Sequence, residues 1–163
     1  MEASYMPEIL TIEQVRKSLM VDDDFDTVEL TRLAVLASSF IKQRTGYDFT
    51  KDTSIHPLAI QCGELYVRQQ YYNGAGDYNQ TYDFSVGINS LIVDLQCISS
   101  SMKSAKKVID LIAVIVTPIT LLSYTSIMTA RIAYDSLFDQ EKEYVTNYST
   151  LTAAELALIA LES

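Results

Sequence analysis

The chain has 163 residues, 48% of them apolar, and a formal net charge of −9. That length makes one domain with room for an extension the default, and the apolar share is enough to build a core. An acidic surface repels phosphate instead of releasing its counterions, which excludes sequence-specific nucleic-acid binding as the expected role.

The charge is unevenly spread: residues 1–102 carry 7 basic and 14 acidic groups, and residues 103–163 carry 5 and 7. There is no Trp, but there are 11 Tyr, whose apolar ring and polar tip suit half-buried interface positions. Cys62 and Cys97 lack a CxxC pattern and fall in apolar helical stretches, so both read as free, buried thiols. The segment MEASYMPEIL has no basic n-region of a signal peptide, and a cytosolic chain is expected.

In chain order, Thr11-Ile12-Glu13-Gln14 predicts a capping box, with Ile12, Val15 and Leu19 recurring at helical spacing and an end near Leu19 or Met20. The acidic stretch Val21–Asp26 is a loop whose last residue caps the next helix, and Glu29 in that helix's first turn complements the helix dipole. This helix runs over 27–45 with Leu30, Leu33, Ala34, Ala37, Phe40 and Ile41 on one face, and Gly46 stops it. After a loop over 47–55, His56-Pro57 starts a third helix with Leu58, Cys62, Leu65 and Tyr72 as its buried stripe. Residues 75–87 read as a long polar loop or short ribbon. A fourth helix is capped by Asn89 or Ser90 and carries Leu91, Ile92, Leu95 and Ile98. The fold class expected is all-α, a bundle of about four helices over residues 1–98 followed by a C-terminal extension over 99–163.

In that extension SSSMKSAKK reads as a polar, basic linker. Val108–Val116 is β-branched and apolar, and Thr117-Pro118 breaks it before Ile119–Ser123. Either two short strands around a turn or two broken helices fit this pattern. Thr125–Val145 reads as an amphipathic helix, and Thr152-Ala153-Ala154-Glu155 as a capping box that opens a short last one.

Residues with chemical potential have ordinary readings. Asp22, Asp24 and Asp26 have the spacing of a calcium loop, but Thr27 stands where its Gly belongs and Leu33 where its Glu belongs, so a solvated capping loop is expected. His56 is the only histidine and starts a helix; no metal site, catalytic triad or phosphate-cradling motif forms around it, and no enzyme or cofactor is expected. Asp139, Glu141 and Glu143 read as a solvated helix face. Tyr66, Tyr71, Tyr72, Tyr78 and Tyr82 cluster at one helix end and the following loop, where core packing and a protein interface are equally good readings. Leu111–Ala130 holds 20 residues without a charge, long enough to span a bilayer, yet Pro118, two Ser and four Thr weaken it, so buried segments are the stronger reading.

Four pieces in order carry a resemblance: ILTIEQVRKSLMVDDDFD, VELTRLAVLASSFIKQRTGYDF, HPLAIQCGELYVRQQYYN and VGINSLIVDLQ. Over about residues 9–98 the chain resembles the tailed-phage head–tail connector family, also called adaptor or head-completion proteins. Residues 99–163 lie beyond the resemblance. It implies a non-enzymatic virion protein of the neck, present in the host cytoplasm during assembly. It implies a ring, dodecameric to match the portal, that binds the portal protein on one face and a neck or tail-completion protein on the other. DNA would pass through such a ring without sequence-specific contact. The resemblance and the expected exposure together nominate Tyr71, Tyr72, Leu91, Ile92, Ile112 and Ile115 as partner contacts, with the apolar extension as a docking arm. The alternatives are a small membrane-associated protein anchored by residues 111–130 and a host helical protein-interaction domain.

Overall fold

The computed structural model describes residues 8–74 and 83–162. The chain is all-α: 75% of the described residues are helical, in seven α-helices and two 3-10 turns, with no strand among them. Its packing divides into two compact units, Met1–Ser99 and Ser100–Ser163.

The first unit is built from α1 (Ile12–Leu19), α2 (Thr27–Thr45), α3 (Pro57–Gly74) and the first half of α4 (Ser85–Ala113). The termini follow local chemistry. Thr11 Oγ1 accepts from the Gln14 N–H at 3.2 Å while Gln14 Oε1 accepts from the Thr11 N–H at 2.8 Å, so two donors that α1 cannot satisfy internally are met. Asp26 Oδ1 accepts from the Val28 N–H at 2.8 Å and opens α2. Gly46, at φ 63°, closes it in the left-handed conformation that a residue without Cβ adopts at no steric cost. The Leu58 N–H donates to His56 Nδ1 at 3.3 Å, so the lone histidine serves as a helix-start acceptor.

α2 packs on both α1 and α3. Leu30, Leu33, Ala37 and Ile41 of α2 are buried, as are Val15 and Leu19 of α1 and Ala59, Cys62 and Val67 of α3, and Phe49, from a 3-10 turn over Phe49–Lys51 in the connecting loop, is fully buried. Polar side chains fasten these elements to one another's backbone. Ser38 Oγ accepts from the Ile9 N–H at 2.9 Å, Arg68 Nε donates to Ser18 O at 3.0 Å, and Ser99 Oγ donates to Thr45 O at 3.2 Å.

Two expectations about α4 are corrected. It starts at Ser85 instead of at Asn89 or Ser90, because the Asp83 carboxylate accepts the Ser85 N–H at 2.8 Å and caps the earlier turn. It also continues through SSSMKSAKK to Ala113, where a linker and then a strand or broken helix were expected. No Gly or Pro interrupts 99–113, and Ala105, Val108 and Ile112 extend the buried stripe at three- and four-residue steps. Lys103, Lys106 and Lys107 point to solvent, Lys106 pairing with Asp110 one turn on. The gain from burying a helical stripe overrides the β preference of Val108, Ile109 and Ile112.

The second unit holds the end of α4, a 3-10 turn over Leu121–Ser123, α5 (Tyr124–Asp135), the single turn α6 (Asp139–Lys142) and α7 (Tyr148–Glu162). Its core joins Ala105, Val108, Ile112 and Ile115 to Ile127, Ala130, Leu137, Val145, Leu151, Ala154 and Leu158. The helix expected over Thr125–Val145 is split: Leu137 turns into the core, Phe138 is extended, and Glu141 reaches back to accept the Phe138 N–H at 2.9 Å. α7 begins at Tyr148, four residues before the expected box, and the Thr152 hydroxyl donates to Ser149 O at 2.9 Å in place of capping.

Candidate interaction surfaces

The aromatic end of α3 is half-buried in the first unit. Tyr71 stands edge-on to Phe25 with ring centroids 5.8 Å apart and to Tyr72 at 5.4 Å, and the Tyr72 hydroxyl donates to Leu19 O at 3.4 Å. One turn earlier Tyr66 stacks on Phe40 at 4.2 Å. These rings pack within the unit and keep only part of their area open. Tyr78 and Tyr82 lie outside the described residues.

The remaining nominated contacts fall differently. Leu91 is half-buried, whereas Ile92, Ile112 and Ile115 are buried in cores. Ile92, Ile112 and Ile115 are therefore corrected from partner contacts to core residues. Ile112 shares a face of α4 with Ala105 and Val108, Ile115 follows just past the end of that helix, and the open positions beside them are Leu111, Val114 and Val116. Cys62 is buried, which pushes its thiol up to about 11; Cys97, expected to be buried, is exposed because it lies off the stripe of Ile88, Ile92 and Leu95.

Polar clusters in the first unit are internally paired. A shallow groove of ≈ 220 Å³ is lined by Glu8, Val35, Ser38, Ser39, Lys42, Asp48, Thr50 and Lys51. That is smaller than the usual ligand pocket of about 300–1,000 Å³. Its Lys42 Nζ is 2.8 Å from Asp48 Oδ2, and this hydrogen bond, with one from Thr50, holds Asp48 below the usual carboxylate range. The neighbouring Tyr47 hydroxyl donates to Asp52 Oδ1 at 2.6 Å. Burial first, then that carboxylate, pushes the phenol up to about 12. In the acidic loop Asp26 is the cap of α2 and Asp23 lies 3.9 Å from Arg16. Among the described residues no group of three His, Cys, Asp or Glu could hold a metal ion.

The most open apolar surface belongs to the second unit. Twelve of the seventeen exposed large apolar side chains among the described residues lie between 111 and 161. Across α5 and α7 the Arg131 guanidinium joins two elements: its Nε donates to Glu155 Oε1 at 2.6 Å, its second amino group to Glu155 Oε2, and its Nη1 to the Tyr148 hydroxyl at 3.3 Å. Asp135 Oδ1 stands 3.5 Å away on the next turn of α5. The guanidinium also lies 5.5 Å from the Tyr148 ring centroid and 5.8 Å from that of Tyr134, which stack on each other at 4.3 Å. Hydrogen bonds to Glu155 and then Tyr148 hold Arg131 protonated well above its ordinary value. Beside this seam Tyr124, Met128 and Ile132 of α5 and Leu156 and Ile159 of α7 are open.

Met128 and Ile132 were expected on the apolar stripe of the helix over 125–145, with Ile127 and Leu137, and are open instead; Tyr124, Leu156 and Ile159 were missed because a single buried stripe was sought in each helix. The available signal was α7 itself: Leu151, Ala154, Leu156, Leu158, Ile159 and Leu161 spread over more than half of its circumference, wider than one buried stripe. Residues 111–130 form no single helix, but the end of α4, a turn with a cis Thr117–Pro118 peptide and the start of α5. Among the described residues no helix is long and apolar enough to cross a membrane. No family model, no curated protein and no solved structure matches the chain.

Proposed function

We propose that this chain is a structural subunit that works through protein contacts: a head–tail connector of a tailed phage, placed between the portal and the next neck or tail component. The observation that carries the reading is the concentration of open apolar side chains in residues 100–162, beyond a helical unit that has its own core. Apolar side chains left open in such numbers point to interaction sites. The order of elements over 9–98, which resembles the connector family, supplies the class of partner. Copies would associate side to side into a ring. Tyr71, Tyr72 and Leu91, half-buried in the first unit, and Val114 and Val116 beyond the core of the second are the contacts in this reading.

The test is the mass of the full chain mixed with the portal protein of the same phage, read by light scattering. The expected result is a complex whose mass exceeds the portal's by a whole number of 18.3 kDa subunits matching the portal's symmetry. A chain that leaves the portal's mass unchanged sinks the reading. Recovery only in a membrane fraction would favour an anchored protein instead.

A further inference from the structure

We infer that the open face of the α5–α7 pair is where a second copy of this chain docks, two-fold, α5 and α7 of one copy lying on α5 and α7 of the other. The inference does not rest on the connector reading, because it concerns the free chain without any portal.

The two helices run antiparallel. Arg131 meets Glu155, whereas Tyr134, one turn further along α5, stacks on Tyr148, two turns earlier in α7. In an antiparallel pair, positions at equal steps from the seam point to the same side. Ile132 follows Arg131 by one residue, as Leu156 follows Glu155. Met128 lies one turn before Arg131, and Ile159 one turn after Glu155. The five open residues therefore belong to one side of the pair, with the Arg131–Glu155 bridge along its edge.

Size, charge and symmetry favour a second copy as the occupant. Tyr124 is 50% exposed, Met128 37%, Ile132 66%, Leu156 69% and Ile159 60%. At about 150–200 Å² for a large side chain, their open parts come to roughly 500 Å². Interfaces are about 60% apolar, so this patch would form the centre of a contact of about 800 Å² per partner, the size of a standard specific interface. The charged groups beside it are already used, Arg131 with Glu155 and Asp135. Two copies can thus meet with no unpaired charge at the centre, whereas a strongly basic or acidic partner would find nothing to pair with. Residues 100–163 carry 5 basic and 7 acidic groups, against 7 and 14 in residues 1–99, so like-charge repulsion is weakest for contact through this unit. Two-fold contacts are the commonest way in which identical chains associate.

The test is sedimentation equilibrium of the full chain alone, across micromolar concentrations. The wild type is expected at twice the 18.3 kDa chain mass. Ile132→Asp and Leu156→Asp should each return it to the single-chain mass with helical circular dichroism unchanged, since both side chains are open in one copy. Val93→Asp, at an exposed position of α4 in the first unit, should keep the doubled mass. If Ile132→Asp loses helicity, Ile159→Ser is read in its place with the same expectation. A wild type at single-chain mass throughout overturns the inference, as does pairing or a larger assembly that survives the α5 and α7 variants. Vesicle binding that those variants abolish, without any pairing, overturns it in favour of a lipid surface. The portal-mixing experiment can fail while this one succeeds, and the reverse.

Discussion

The two units solve the same folding problem and leave different surfaces. In the first unit each helix buries one stripe, and polar side chains close its edges by binding neighbouring backbone: Ser38 to Ile9, Arg68 to Ser18, Gln96 to Arg44, Ser99 to Thr45. In the second unit the buried stripe of α5 or α7 is just as closed, with Ile127, Ala130 and Leu151 fully buried, but a further apolar stripe stands open beside it. One stripe per helix suffices for a core. A second one adds nothing to the fold of a single chain, so it separates residues that fold the protein from residues available to join it to something else.

The largest expected effect tests that separation. Leu33→Ala in the first unit and Leu151→Ala in the second each remove a fully buried side chain and should destabilise by about 2–5 kcal/mol in urea unfolding. Leu156→Ala, on the open side of α7, should change stability by less than about 0.5 kcal/mol when measured in the Ile132→Asp background, where pairing is absent. A loss at Leu156 equal to that at Leu151 would mean that the open stripe is part of the fold, and the contrast between the units would fail.

Close packing in the first unit gives the next effect. A Cβ on Gly63 would lie 3.2 Å from Leu10 Cδ1, and Leu10 is itself buried with little room to yield. Replacing Gly by Ala inside an exposed helix gains about 1 kcal/mol. Here overpacking of about 1–3 kcal/mol opposes that gain, so Gly63→Ala should lower the unfolding midpoint by the equivalent of about 1 kcal/mol. A stabilised variant would show that the contact between Leu10 and α3 is looser than the distances indicate.

Helix starts sharpen the comparison at a smaller scale. Asp26→Ala removes a side chain that accepts the Val28 N–H and should destabilise by about 1 kcal/mol. Thr152→Ala, at a position that has the sequence of a cap but lies inside α7, should be neutral or slightly stabilising in the same thermal melt.

Thr11, Asp26, Gly46 and Pro57 made the first three helices legible, because each is a local signal acting on its own backbone. The second unit was legible only as apolar. Its boundaries depend on tertiary choices: Leu137 drawn into the core breaks a helix that periodicity would continue, and Ala105, Val108 and Ile112 finding a common core keep α4 going through a polar stretch. The nominated contacts suffered from the same cause. Ile112 and Ile115 were chosen for being apolar, a property they share with Leu111 and Val114, their open neighbours, so apolarity alone could not tell core from surface. Tyr71 and Tyr72 were legible as aromatics fit for a core or an interface, and the structure has them half-buried.

The smallest effect is a pH dependence belonging to the first unit. The Tyr47 phenol is pushed up to about 12 by burial and by the Asp52 carboxylate to which its hydroxyl donates. An unfolded Tyr titrates near ~10. The folded state thus holds this proton more tightly, and the stabilisation is fully present below about pH 10. It is lost as pH rises through about 12, because the unfolded chain releases the proton first. Urea midpoints should therefore fall across that window, and Tyr47→Phe, which has no proton to lose, should flatten this part of the fall. Asp52→Asn should do the same in part, since it removes the negative charge and leaves the burial. An unchanged slope in Tyr47→Phe would locate the alkaline sensitivity elsewhere, outside the loop that joins α2 to α3.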